Sequence, residues 1–367
     1  MNNFKFNIDY DYKSRLTLIV DTNWLLMSRL AILRNKYSDV NELFPVLKEK
    51  MLKSISIVLN QIKQIDNVIF VADGGSWRKK VKQPTVLVED SKEDSYKGTR
   101  VKSDDFDWKR FFEEYNKFTD EMLTVGKINV FKANDVEGDD WCWYLSNALY
   151  NSGSNCIIMS ADKDLTQLVK FNPETYNFVM TYYKVKSNKH LITYDKLLDD
   201  YKEQVSMSFF LDQNKINNFD CINTCLNIAT ETKAINPKDI IIDKIFRGDI
   251  SDNILSPIYY NSGSKTYKIT QKQLDFDLDI TDDKSIELFI NKAINKNIKY
   301  STLNSNLVLE HVIYNRKLVY LDASEYPETI LNRLQENIYY TRSTNLDTEI
   351  NYIRSQNNKT TDFLESL

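Results

Sequence analysis

Three short apolar runs in this chain end in the same way. Leu16–Val20 (LTLIV) runs into Asp21, Val68–Ala72 (VIFVA) into Asp73, and Cys156–Ala161 (CIIMSA) into Asp162. None of the three alternates with polar residues, so each suits a strand buried on both faces of a parallel sheet. Helical patterns lie between them, notably at Leu43–Ile65 and Asp139–Tyr150, and Lys127–Lys132 reads as a further strand. Strands alternating with helices imply a doubly wound α/β core. Ligands bind such sheets beyond the carboxyl ends of the strands, where all three aspartates stand.

A single Asp after a strand is more often a turn residue or a helix cap. Three in succession are harder to dismiss, and further acids accompany them. Asp164 follows Asp162 by two residues, Glu137, Asp139 and Asp140 open a helix, and Asp249 and Asp252 lie in the segment Gly248–Asn253. Carboxylates gathered without cations repel one another and take up protons. A divalent metal resolves that conflict, and all-oxygen ligation with retained waters suits magnesium, with manganese as a substitute. Two such ions about 4 Å apart activate water and stabilise a departing oxygen in phosphodiester hydrolysis.

Other chemistries find little support. The chain has two histidines, His190 and His311, and four cysteines, Cys142, Cys156, Cys221 and Cys225, too poorly spaced for a zinc site. No Gly-rich phosphate loop is present. The opening MNNFKFNIDYDYK lacks a signal-peptide apolar core, and no apolar run approaches the ~20 residues that span a bilayer. A cytoplasmic protein without membrane contact is expected. The formal charge of −4, from 52 acidic and 48 basic residues, does not argue against a nucleic-acid partner if the two signs are segregated. A basic stripe is present: Arg78, Lys79, Lys80 and Lys82 follow Asp73 without an acid among them, and Lys97 and Arg100 stand further on. At i, i+3 the last two would share a helical face and could grip one phosphate. A solvated charged loop is the plain alternative.

Taken together, the blocks IVDTN, FVADGGSWRKK, YKGTR, DVEGDDWCWYL, MSADKDLTQL and FRGDISDNI resemble the 5′-nuclease superfamily of flap endonucleases and 5′–3′ exonucleases. They are most similar to its phage ribonuclease H branch, and LVYLDASEYPETI matches the phage members more loosely. The blocks keep the family's order over residues 16 to about 255. The resemblance implies a PIN-like, doubly wound, mostly parallel sheet with a basic helical arch at about 77–105, together forming a catalytic domain over 1–205. A mainly helical C-terminal domain would follow over 206–367, with a helix–hairpin–helix-like element at about 240–270.

The same resemblance implies two Mg²⁺ ions. One would be held mainly by Asp21, Asp73, Asp139 and Asp162, the other by Asp164, Asp249 and Asp252. Glu137 would belong to the cluster, with Asp140 a ligand or a neighbour of one. Lys97 and Arg100 would contact the scissile phosphate, and Lys265 stands in a G-x-K-T-like end of the duplex-binding element. There the family's glycine-rich hairpin is replaced by Leu255–Tyr260. The implied activity is 5′–3′ exonuclease and flap endonuclease cleavage with ribonuclease H activity, removing RNA primers and adjacent DNA during lagging-strand replication. Implied partners are DNA and RNA–DNA hybrid with 5′ ends or flaps, a sliding clamp and a single-strand-binding protein, with the chain itself a monomer.

Two other classes compete. A haloacid-dehalogenase-like phosphatase needs a second Asp two residues after the first, where Asn23 stands. A catalytically inactive DNA-binding scaffold would be expected to have lost some of the carboxylates, and all are present.

Overall fold

The computed structural model describes residues 16–84, 96–98, 105–124, 129–185, 187–198, 213–262 and 265–336. By internal contacts the chain divides into two units. Of the described residues, 16–75, 105–235 and 329–336 form a sheet unit, and 76–98 and 236–328 form a second, mainly helical unit.

The sheet unit carries β1 (Leu16–Asp21), β2 (Asn67–Val71), β3 (Asn129–Phe131), β4 (Asn155–Met159), β5 (Lys170–Phe171), β6 (Phe178–Val185), β7 (Asn188–Tyr194) and β8 (Glu231–Ile235). Their spatial order is β3-β2-β1-β4-β6-β7-β8, with the short β5 pairing to β6. From β3 to β6 that path is parallel, β7 runs antiparallel to β6, and β8 is parallel to β7. Every residue of β1, β2 and β4 is buried, as their unbroken apolar runs demand. The connections carry α1 (Thr22–Leu33), α2 (Val40–Gln61), α3 (Trp108–Thr124) and α4 (Gly138–Asn151), and α5 (Gln213–Ile228) precedes β8. Leu18, Val20, Leu47, Ile55, Phe70, Phe111 and Ile157 meet in one core.

Register sets the level at which each strand delivers its acid. Asp21 pairs with Val71, and Val20 pairs with Met159. Asp73 and Asp162 therefore both lie two residues beyond the level of Asp21. The chain turns from β1 to β2 on one side and places β4 on the other, so the strand order reverses between β1 and β4. That crevice is where open α/β sheets bind ligands.

Past residue 190 the structure contains more strand than the residue pattern suggests. β7 and β8 extend the sheet, and residues 213–235 group with it, beyond the domain boundary expected near 206. β8 is an edge strand whose ETKAI sequence buries only Ile235, so it shows no two-sided apolar run.

The helical unit contains α6 (Pro237–Arg247), a 3₁₀ turn at Ile250–Asp252, the hairpin β9 (Tyr259–Ser262) and β10 (Lys265–Lys268), α7 (Asp283–Lys296) and α8 (Ser305–Val319). α9 (Glu328–Glu336) follows and belongs almost wholly to the sheet unit. Ile242, Ile245, Phe246, Ile258, Ile290 and Val312 form the helical unit's core. The segment around 240–270 is thus one helix followed by an antiparallel β-hairpin, and the next α-helix begins at Asp283. Among the described residues no helix is long and apolar enough to cross a membrane.

Candidate metal centre

Asp21 closes β1 and caps α1, its Oδ1 accepting the Trp24 amide at 3.0 Å. Its Oδ2 accepts the Ser160 hydroxyl at 2.8 Å, from the residue that follows β4. Asp73 lies beyond β2, and its Oδ1 accepts the amide of Gly138, the first residue of α4, at 2.6 Å. A Cβ on Gly138 would stand 3.1 Å from Asp73 Oδ1 and 3.8 Å from Asp21 Oδ1, so both carboxylates close on one spot at the helix N-terminus. Partial positive charge there favours anions.

Asp162 completes the set from the β4 side. Its amide is held by Ser160 Oγ at 3.1 Å, and its Oδ1 accepts the Asp164 amide at 2.9 Å. Ser160 therefore braces both Asp21 and Asp162, a role that nothing in the residue order signals. Asp139, half-buried, follows Gly138 in the first turn of α4.

The acids at the start of α4 divide by task. Glu137 and Asp140 form a reciprocal capping box, in which Asp140 Oδ2 accepts the Glu137 amide at 2.9 Å. Asp140 is fully buried in that role. A capping box is sufficient reason for both residues, and it aims Asp139 rather than Asp140 outward.

Charge repulsion is legible at Asp21. Burial above all, with the charges of Asp73 and Asp162 adding to it, pushes its carboxyl up to about 7 against the hydrogen bonds from Trp24 and Ser160. This is the donor set of a hard divalent cation: several carboxylate oxygens, no sulfur, and a misfit that a cation would relieve. The histidine and thiol groups lie in other settings. All four cysteines are buried and none forms a disulfide, His311 is buried in the helical unit, and His190 stacks on Tyr183 and faces Glu231.

The sign of that shift gives a stability prediction. Near pH 4 the Asp21 carboxyl is protonated in the folded chain and already passing through its midpoint in the unfolded one. As pH rises from there to about 7 the unfolded chain ionises first, so the metal-free fold loses stability across that window. A bound divalent cation favours the ionised form and cancels the loss. Melting curves with chelator and with magnesium should show a larger metal-induced rise in Tm at about pH 8 than at about pH 5. An equal rise at both would remove Asp21 from the metal site.

In the helical unit, Asp249 caps the 3₁₀ turn, its Oδ1 accepting the Ser251 amide at 2.9 Å, and its Oδ2 accepts Lys244 Nζ at 2.7 Å. Burial raises its carboxyl, but the Lys244 and Ser251 hydrogen bonds hold it down at about 2. Asp252 is buried and its carbonyl accepts the Lys97 amide at 2.9 Å. Buried Asn315 donates to Ile245 O at 2.9 Å and to Leu255 O at 2.8 Å, closing this acidic turn onto the unit's core.

The basic residues differ from expectation in two respects. Arg78 is not an exposed member of the stripe. It is 2% exposed, its guanidinium 4.7 Å from the Trp77 ring centroid and 5.6 Å from that of Tyr326, so it pins the segment in place. Lys79, Lys80 and Lys82 are all exposed. Lys97 does not sit on a helix: Tyr96–Gly98 is a turn, and Lys97 has φ +58° with its ammonium 4.8 Å from the Tyr96 ring centroid. Arg100 lies outside the described residues, as does the rest of the arch at 85–95 and 99–104. Lys265 is exposed on β10, the strand of Tyr267, whose ring stacks on Tyr260 at 5.0 Å.

A mostly parallel sheet that gathers carboxylates at its switch point, braced by a helix N-terminus, defines a resolvase-like α/β nuclease domain. The family model for the 5′–3′ exonuclease, N-terminal resolvase-like domain, matches residues 18–202, half of the chain, and the chain belongs to that family. Among solved structures, the bacteriophage T5 5′-exonuclease with bound divalent zinc ions is similar at 17% identity and a TM-score of 0.52, covering 90% of this chain and 100% of that one. Two further T5 structures cover 94% of this chain and 100% of theirs at 16% identity. The T5 D15 protein co-crystallised with metal ions has a TM-score of 0.48, and the T5 flap endonuclease pseudo-enzyme-product complex with DNA and metal ions has 0.47. At these identities the likeness is one of fold. None of the curated proteins matches the sequence significantly.

Proposed function

We propose that this nuclease is a magnesium-dependent 5′–3′ exonuclease and flap endonuclease with ribonuclease H activity, acting on RNA primers and adjoining DNA of the lagging strand. The observation that carries the reading is the convergence of Asp21 and Asp73 at the N-terminus of α4, with Asp162 braced through the shared Ser160. Asp21, Asp73, Asp139 and Asp162 would hold one Mg²⁺. The sequence blocks assign Asp164, Asp249 and Asp252 to a second, with Glu137 and Asp140 supporting α4. When bound, such ions polarise the scissile phosphate and lower the pKa of an attacking water.

The roles of the protein's own groups in this reading rest on geometry for Ser160 and Gly138 and on the sequence resemblance for the basic residues. Ser160 and Gly138 orient the carboxylates, and Lys97 with Arg100 would meet the phosphate that is cut. Lys79, Lys80, Lys82 and Lys265 would contact the backbone, giving affinity that falls with salt. Phosphate is common to RNA and DNA, and backbone recognition would accept either in the removed strand. Nucleic acid bound at a 5′ end, a sliding clamp and a single-strand-binding protein are the partners of this reading, and the chain would act as a monomer in the cytoplasm.

The test is a nicked duplex bearing an RNA-primed strand with label at either end, digested by the wild type and by Lys97→Ala and Asp249→Asn. Short products from the 5′ end, spanning RNA and DNA, are expected, with both variants slowed while still binding the duplex. Shortening from the 3′ end, or refusal of the RNA, would overturn primer removal. Variants as fast as wild type would remove Lys97 and Asp249 from the site.

A further inference from the structure

We propose that Tyr115 is a positioning residue for the metal-bearing aspartates, acting through Thr22 and Asn23. The inference rests on the reading of Asp21 and Asp73 as metal ligands. Thr22 and Asn23 follow Asp21 directly in the first turn of α1. Thr22 Oγ1 donates to the carbonyl of Val71, the last residue of β2, at 2.5 Å. Asn23 Oδ1 faces the Asp73 amide at 3.4 Å. From α3, the Tyr115 hydroxyl reaches between these two groups, donating to Asn23 Oδ1 at 2.7 Å and contacting Thr22 Oγ1.

The β1–β2 ladder ends at the Asp21–Val71 pair, so Asp73 stands beyond its support. On the β3 side the turn that carries Asp73 is held by Ala72 N to Phe131 O at 3.0 Å and Gly74 N to Val136 O at 2.8 Å. On the β1 side it is held by Asn23, and Asn23 is held by Tyr115. A single phenol thereby couples the backbone after Asp21 to the backbone at Asp73, and with it the separation of the two carboxylates.

Packing alone explains the ring but not the hydroxyl. Tyr115 is 2% exposed and its ring belongs to the core of the sheet unit, a place that phenylalanine would fill equally well. What phenylalanine lacks is the oxygen that contacts the two polar residues next to Asp21. Its loss would leave Asn23 and Thr22 short of a buried partner and free to shift. Small displacements of catalytic groups lower rate more than binding.

The experiment compares Tyr115→Phe, Asn23→Ala and the double variant in magnesium titrations of cleavage, with thermal melts of each protein. For Tyr115→Phe the half-saturating magnesium concentration should rise and kcat should fall, each by roughly tenfold, with KM for nucleic acid unchanged. The double variant should be no worse than the worse single one, because the two residues act in series. A role in folding alone would lower Tm and leave the magnesium titration and kcat at wild-type values, and that result overturns the proposal. Additive losses overturn the route through Asn23. Asp73→Asn separates the two levels of the argument. If it abolishes cleavage while Tyr115→Phe does nothing, the positioning role alone is wrong. If it leaves cleavage intact, the metal reading falls and this inference falls with it.

Discussion

Asp73→Asn and Asp162→Asn should each lower turnover by about a hundred- to a thousandfold while leaving nucleic-acid affinity close to wild type. The substitutions are nearly isosteric, and each keeps the hydrogen bond that places the side chain. An asparagine Oδ1 at position 73 still accepts the Gly138 amide, and one at 162 still accepts the Asp164 amide. Only the charge is lost, and with it the electrostatic hold on a divalent ion. A second consequence has the opposite sign. Because Asp73 and Asp162 both push the Asp21 carboxyl up, neutralising either lets Asp21 ionise more readily. Each variant should therefore melt higher than the metal-free wild type at about pH 8, and gain less from added magnesium. Single-turnover cleavage, duplex binding in chelator and melting curves measure the three effects. Undiminished cleavage in excess chelator would exclude the metal altogether.

Much of the sheet and its acids can be read from residue order, because the signal is chemical and local. LTLIV, VIFVA and CIIMSA are too apolar to be anything but two-sided buried strands, and a strand's last residue fixes where its successor points. Less legible is whatever depends on distant partners. Arg78 looks like a solvated charge until Tyr326, far along the chain, covers it. Lys97 looks helical beside Arg100, and instead takes a left-handed turn. β8, β9 and β10 are hidden for another reason: β8 and β10 are largely exposed, and polar edge or hairpin strands lack the alternation that marks a half-buried strand. Glu137 and Asp140 carry a readable clue. An acid pair three residues apart before WCWYL is the spacing of a capping box, and their bonding follows that pattern.

Gly74→Ala should destroy activity and destabilise the fold, although it adds a single methyl group. Gly74 follows Asp73 and lies against the loop that leads into α4. Its carbonyl accepts the Asp135 amide at 3.0 Å and its own amide donates to Val136 O at 2.8 Å. That loop is itself clamped from α9, where Arg333 reaches Asn134 O at 2.7 Å and Asp135 Oδ2 at 2.8 Å. A Cβ at position 74 would stand 1.8 Å from Ala133 O, a backbone atom with no rotamer to escape into. The two segments must part, breaking both hydrogen bonds and withdrawing Asp73 from Gly138 and Asp21. Forced displacement of packed backbone costs about 1–3 kcal/mol or more, so Tm should fall by several degrees. Gly153→Ala is the control. Gly153 has φ +84°, and nothing lies within 4 Å of where a methyl group would stand, so alanine there meets backbone strain without a collision. It should cost about 1 kcal/mol and leave cleavage unchanged. Equal loss of activity in the two variants would mean that general destabilisation, rather than the Asp73–Gly74 contact with the α4 loop, governs the site.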